Sequence, residues 1–168
     1  MKWYEDPTYI KQCEKAEEIQ SLWKPRIGDW FYKKDGIGFG SWCVSGILGE
    51  TIYACGEGMY RPPYKGIPVQ FMAKENYIWL PSQDRLHDIY ARYIADELEH
   101  MNFGRSELMQ AFIDFSAWLG KQYQEKEFTC LPTNVFDTGE QLWLAFVMKE
   151  KHSKSWMTRE TWEVQIIS

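Results

Sequence analysis

The chain has 168 residues, 45% of them hydrophobic and 26% charged, with a net charge of −5 at pH 7. That is long enough for one domain with its own core and too apolar for disorder. The acidity argues against nonspecific binding of DNA or anionic membranes, and no apolar run reaches the roughly 20 residues that span a bilayer.

Asp6-Pro7 opens the first helix, an acceptor at the cap followed by a proline in the first turn. Ile10, Cys13, Ala16, Ile19, Leu22 and Trp23 follow at helical spacing until Lys24-Pro25 stops it. From Ile27 to Leu80 the chain turns rich in Gly, Tyr and Trp, with short strand-like runs at Gly28–Lys33, Ser41–Leu48, Thr51–Cys55, Val69–Ala73 and Tyr77–Leu80. Gly49-Glu50 suits a two-residue hairpin turn with glycine first. Five short strands joined by tight turns predict a small antiparallel sheet or partly closed barrel, SH3-like being one such topology.

Ser82 caps the next helix, whose stripe is Leu86, Ile89, Tyr90, Tyr93, Ile94, Leu98 and Met101. Gly104 ends that turn, and Ser106 is expected to cap a helix with Leu108, Phe112, Phe115, Leu119 and Tyr123 inward. Ile113 and Trp118 lie off this stripe, which suggests burial on two sides. Thr138-Gly139-Glu140-Gln141 matches a capping box. Leu142, Trp143, Phe146 and Val147 face inward after it, and Lys149 and Lys151 complement the helix C-terminus. Thr161 to Ile167 alternates and is expected to return as a strand. The whole reads as a single α+β domain: a helix in 1–26, a small β module over about 27–81, a helical part with three helices over 82–152, and a returning strand in 153–168.

Four cysteines, Cys13, Cys43, Cys55 and Cys130, form no C-x-x-C pair, so structural zinc is not expected. Cys43 and Cys55 could face each other across a hairpin. The polar, soon acidic opening Met1–Asp6 is no secretion signal, and a cytoplasmic protein with reduced thiols is expected. Glu97 and His100 share the i, i+3 spacing of a metal-binding face, but one such motif near a helix end reads as a solvated polar face. His87 lies on another face of that helix, and His152 suits the last turn of the helix after Thr138. Gly36-Ile37-Gly38-Phe39-Gly40 has no phosphate-loop spacing and precedes a strand. No complete catalytic set is present, so a non-enzymatic protein without cofactor or metal is expected.

Aromatic residues are the deviation, 17% of the chain with nine tryptophans. In a small sheet one face is core, so part of the set Trp30, Tyr32, Phe39, Trp42, Tyr53, Tyr60, Tyr64, Tyr77 and Trp79 can lie outside it. Residues 24–81 carry seven basic and five acidic side chains. The candidate binding surface is therefore Trp30, Tyr32, Trp42, Tyr53, Tyr60 and Tyr64 with Lys33, Lys34 and Arg61. It would grip an extended or proline-rich peptide or stack the bases of single-stranded nucleic acid. Against both stands the plainer reading that most of these rings pack beneath the helices.

Three segments in order, Ala16–Asp29, Trp79–Leu86 and Glu140–Lys151, resemble a group of small hypothetical proteins encoded by phages and prophages of Gram-positive bacteria. The resemblance implies a mobile-element origin and a bacterial cytoplasm, and carries no catalytic residue. The expected function is a phage accessory protein that binds a host or phage protein, with single-stranded nucleic acid as the alternative partner and no membrane. Composition sets no oligomeric state.

Overall fold

The computed structural model describes residues 2–34, 39–49, 51–56, 66–69, 76–97, 105–124, 136–157 and 161–164. The fold is α+β, as the sequence predicts, and the chain divides into two units, Met1–Ser82 and Gln83–Ser168.

In the first unit a single 3₁₀ turn (Trp3–Glu5) leads to Asp6, whose Oδ1 accepts from the backbone N–H groups of Thr8 (2.8 Å) and Tyr9 (3.2 Å). Pro7 then opens α1 (Pro7–Lys15), as expected. The predicted unbroken helix to Trp23 is not what forms. The backbone turns at Ala16 (φ −88°, ψ 68°) and resumes as α2 (Glu17–Ser21). Packing explains the break: Tyr9, Gln12, Cys13, Ala16 and Ile19 are all buried on either side of it. Leu22, placed on the apolar stripe by periodicity, is 44% exposed.

Five strands follow, β1 (Trp30–Lys33), β2 (Gly40–Leu48), β3 (Thr51–Gly56), β4 (Ile67–Val69) and β5 (Tyr77–Leu80), in an antiparallel sheet of order β4-β3-β2-β1-β5. Gly49 takes the left-handed φ of +59° after β2, where Leu48 pairs with Thr51, as the hairpin reading requires. The fourth strand lies earlier than expected, and residues 70–73 of the expected run fall outside the described residues. Gly66 enters β4 at φ +73°, where a Cβ would lie 2.4 Å from Ser45 Oγ and 2.7 Å from the Ala54 carbonyl oxygen, so glycine is obligatory. Phe31 stands opposite Trp42 and Trp79, and Val44 opposite Ala54. Alternation thus sets Phe31, Val44 and Ala54 on one face. They form its buried centre, ringed by Trp23, Trp42, Ile52 and Tyr77. A register shift between Val44 and Gly46 puts a bulge in the long β2.

The second unit holds α3 (Gln83–Glu97), α4 (Arg105–Gln124), α5 (Gly139–His152) and a hairpin of β6 (Lys154–Trp156) and β7 (Trp162–Val164). The capping box forms as predicted: Thr138 Oγ1 accepts from Gln141 N (3.3 Å), and the Gln141 side chain accepts from the Thr138 N–H (3.3 Å). α5 is buried over Trp143–Met148, more completely than the expected Trp143, Phe146 and Val147, while Leu142 is half-buried. Around it pack Phe115, stacked on Trp143 at 4.1 Å, and Tyr90, edge-on to Phe146 at 4.6 Å. Leu98, Met101 and Gly104 lie outside the described residues.

Two expectations for α4 need correction. The helix begins at Arg105, so Ser106 lies inside its first turn, with its hydroxyl bonded to Glu107 Oε2 (2.9 Å) instead of capping. Its inner face is Leu108, Ala111, Phe115, Trp118 and Leu119. Trp118 therefore belongs to that face, packing on Phe115 and Phe146. Phe112 and Ile113 are 54% and 55% exposed. The tail returns as a strand, with Trp162 edge-on to Trp156 at 5.1 Å. Among the described residues no helix is long and apolar enough to cross a membrane.

Candidate functional site

The aromatic residues of the sheet are not gathered on one platform. Trp42 shares the Phe31 face and packs against its core. Trp30, Tyr32 and Tyr53 alternate to the opposite face, all half-buried. Trp30 lies flat on Tyr4 at 3.6 Å, so the N-terminal turn already occupies its ring. Lys33 is half-buried, and Lys34 pairs with Glu14 at 2.8 Å. Tyr60, Arg61 and Tyr64 lie outside the described residues. Phe39, by contrast, is 73% exposed.

A groove that the sequence does not announce lies along the outer edge of β5. Its volume is about 430 Å³, and it is lined by Glu14 of α1, by Glu17, Gln20 and Ser21 of α2, and by Trp23, Lys34, Tyr77 and Ile78. The break at Ala16 creates it by swinging α2 against the strand edge. Antiparallel alternation turns the Trp79 amide away from β1. Gln20 meets it there, accepting from Trp79 N (2.8 Å) and donating to Trp79 O (2.9 Å). One primary amide thus stands in for a sixth strand. Trp23 is fixed by donating its indole N–H to Asp29 Oδ2 (3.2 Å), a buried carboxylate that also accepts from Arg26 N (2.9 Å). Its ring stacks parallel to Trp79 at 6.3 Å.

The rim carries two carboxylates, Glu14 and Glu17, and one ammonium, Lys34, already paired with Glu14. Among the described residues neither histidine nor cysteine lines the groove, and the Ser21 hydroxyl donates to the Glu18 carbonyl (2.8 Å). Rings, an amide and two carboxylates are the groups that the described lining presents.

Comparison with known proteins finds no match among family models, curated proteins or solved structures.

Elsewhere, Cys43 and Cys55 do stand opposite each other in the β2–β3 ladder, as free thiols. Burial pushes the Cys43 thiol up to about 11, with Cys55 and Asp29 adding and a hydrogen bond from the Gly28 backbone opposing. Burial likewise raises Cys13. Neutral thiols of this kind are poor nucleophiles. Glu97 accepts from the Tyr93 hydroxyl, which raises the tyrosine, and His100 lies outside the described residues. His87 Nε2 lies 2.7 Å from the Leu108 carbonyl oxygen, and its ring packs on Trp143 at 5.2 Å and edge-on to Phe112 at 5.4 Å. Its place is structural. Among the described residues no three His, Cys, Asp or Glu side chains converge as a metal site.

Proposed function

We propose that this chain is a non-enzymatic phage or prophage accessory protein of the bacterial cytoplasm, and that its α1–α2/β5 groove binds an extended segment of a host or phage protein. The groove itself carries this reading: an open, preformed cleft walled by Trp23 and Tyr77 with an acidic rim. Aromatic walls supply contact area at low entropic cost. The exposed Glu17 offers its carboxylate to a basic side chain of the partner. The return of β5 beside β1 and the bulge in β2 support an SH3-like reading of the sheet, a kind of module that grips extended peptides on aromatic-lined grooves. An acidic rim does not favour a polyanion, so nucleic acid ranks second.

The test is a tagged pulldown from bacterial lysate, run with and without nuclease, comparing wild type with Glu17→Lys and Ser21→Arg, both at exposed groove positions. A stoichiometric protein recovered by wild type and lost from both variants is the expected result. A protein retained by both variants moves the site elsewhere. Recovery of nucleic acid alone, in the arm without nuclease, replaces this function with the single-strand reading.

A further inference from the structure

The two carboxylates on the rim of the α1–α2/β5 groove are not equivalent. Glu14 is already engaged. Lys34, held at the end of the sheet by donating its backbone N–H to the Asn76 carbonyl (3.0 Å), places its ammonium 2.8 Å from the Glu14 carboxylate. Glu17 is exposed, lines the same groove, and among the described residues makes neither an ion pair nor a hydrogen bond. Ser21 lies one helical turn further along α2, on the same side. Its proton is committed to the Glu18 carbonyl, so its oxygen can only accept. A carboxylate and a hydroxyl oxygen one turn apart call for a group that only donates. Among side chains those are lysine and arginine, and an acidic segment or a phosphate is disfavoured by the same pair.

The rings choose between the two. Trp23 and Tyr77 line the groove in fixed positions, Trp23 through its indole N–H bond to Asp29 (3.2 Å) and Tyr77 edge-on to Phe31 at 5.7 Å. A guanidinium is flat, lies against aromatic surface, and presents paired N–H groups that match a carboxylate side by side. An ammonium is a compact, strongly hydrated point charge and does neither as well. With the rings set before a partner arrives, little ordering cost falls on this side of the contact.

We propose that the groove reads an arginine of the bound segment, its guanidinium paired with Glu17 and Ser21 and lying against Trp23 and Tyr77. This rests on the groove being the binding site and adds what the groove selects. One arginine suffices, because Lys34 already neutralises the second rim carboxylate.

Random linear peptides selected on the immobilised full chain at low salt test this, and arginine is expected to be enriched at one position. The most enriched peptide is then made with arginine, lysine or citrulline there, citrulline being the uncharged isostere of arginine, and each form is titrated by calorimetry. The arginine form is expected to bind wild type about fivefold more tightly than either of the others, the worth of one partly exposed bidentate pair. Glu17→Gln is expected to bind the arginine and citrulline forms alike. Replacing Glu14→Gln and Lys34→Met together removes the ion pair without changing the net charge, and is expected to keep the preference. Circular dichroism confirms that each variant stays folded. Peptides that lose binding to Glu17→Lys yet show no preference for arginine overturn this inference and leave the groove as the binding site. A preference that survives Glu17→Gln, or vanishes in the joint variant, also overturns it. Peptides that bind Glu17→Lys as well as wild type, or no enriched peptide at all, overturn the inference and the groove together.

Discussion

Cys43 shows how a single side chain's surroundings bear on function. With its thiol pushed up to about 11 from an ordinary 9.0, it carries about 100-fold less thiolate at neutral pH than an unperturbed cysteine. Iodoacetamide should therefore label Cys43 far more slowly than free cysteine at pH 8, with a rate that climbs towards pH 11; labelling at the free-cysteine rate would show that the strand pair does not hold the thiol neutral. The sign for stability follows. Folding favours the protonated thiol, so this contribution is present below about pH 9 and is lost as pH rises towards 11. Facing pairs of cysteines invite a redox interpretation from sequence alone. Here burial in a ladder beside Asp29 keeps the Cys43 thiol protonated instead.

The most consequential element is the shortest helix. α2 has five residues, too few to be stable by itself, and it persists through the burial of Ile19 and the paired hydrogen bonds of Gln20. Gln20→Ala should cost about 1–3 kcal/mol, because the Trp79 N–H and C=O would lose their amide partner in a half-buried position; urea unfolding measures it, and an unchanged midpoint would mean that water replaces the amide fully. Much of the element map is legible in sequence because its signals are local. Asp6-Pro7, Thr138 with Gln141, and Tyr77–Leu80 each specify their own geometry within a few residues. The turn at Ala16 is not legible, since neither glycine nor proline marks it and its cause lies in β5, some sixty residues on. The groove depends on that turn, so the groove was hidden with it. α4 was ambiguous for a different reason. Apolar residues on more than one face leave the periodicity without a unique inward direction, which is why Trp118 read as off the stripe and Phe112, which touches His87 and Trp143 while 54% exposed, read as fully inward.

At the scale of the whole molecule, the proposed groove lies wholly within the unit Met1–Ser82. Glu17→Lys should therefore abolish partner recovery in the pulldown and leave the fold, read by circular dichroism, unchanged. Full partner recovery by the folded variant would move the site elsewhere. The sheet carries a further consequence through its borders. On one side Gln20 occupies the amide of β5; on the other, Pro68 sits in the middle of β4 and takes a donor out of that strand. An open sheet with bare borders would template a neighbour's strand, and that neighbour the next. With both borders spoiled, crowding favours no fibre. The five-stranded sheet is thereby closed to growth by strand addition at either border.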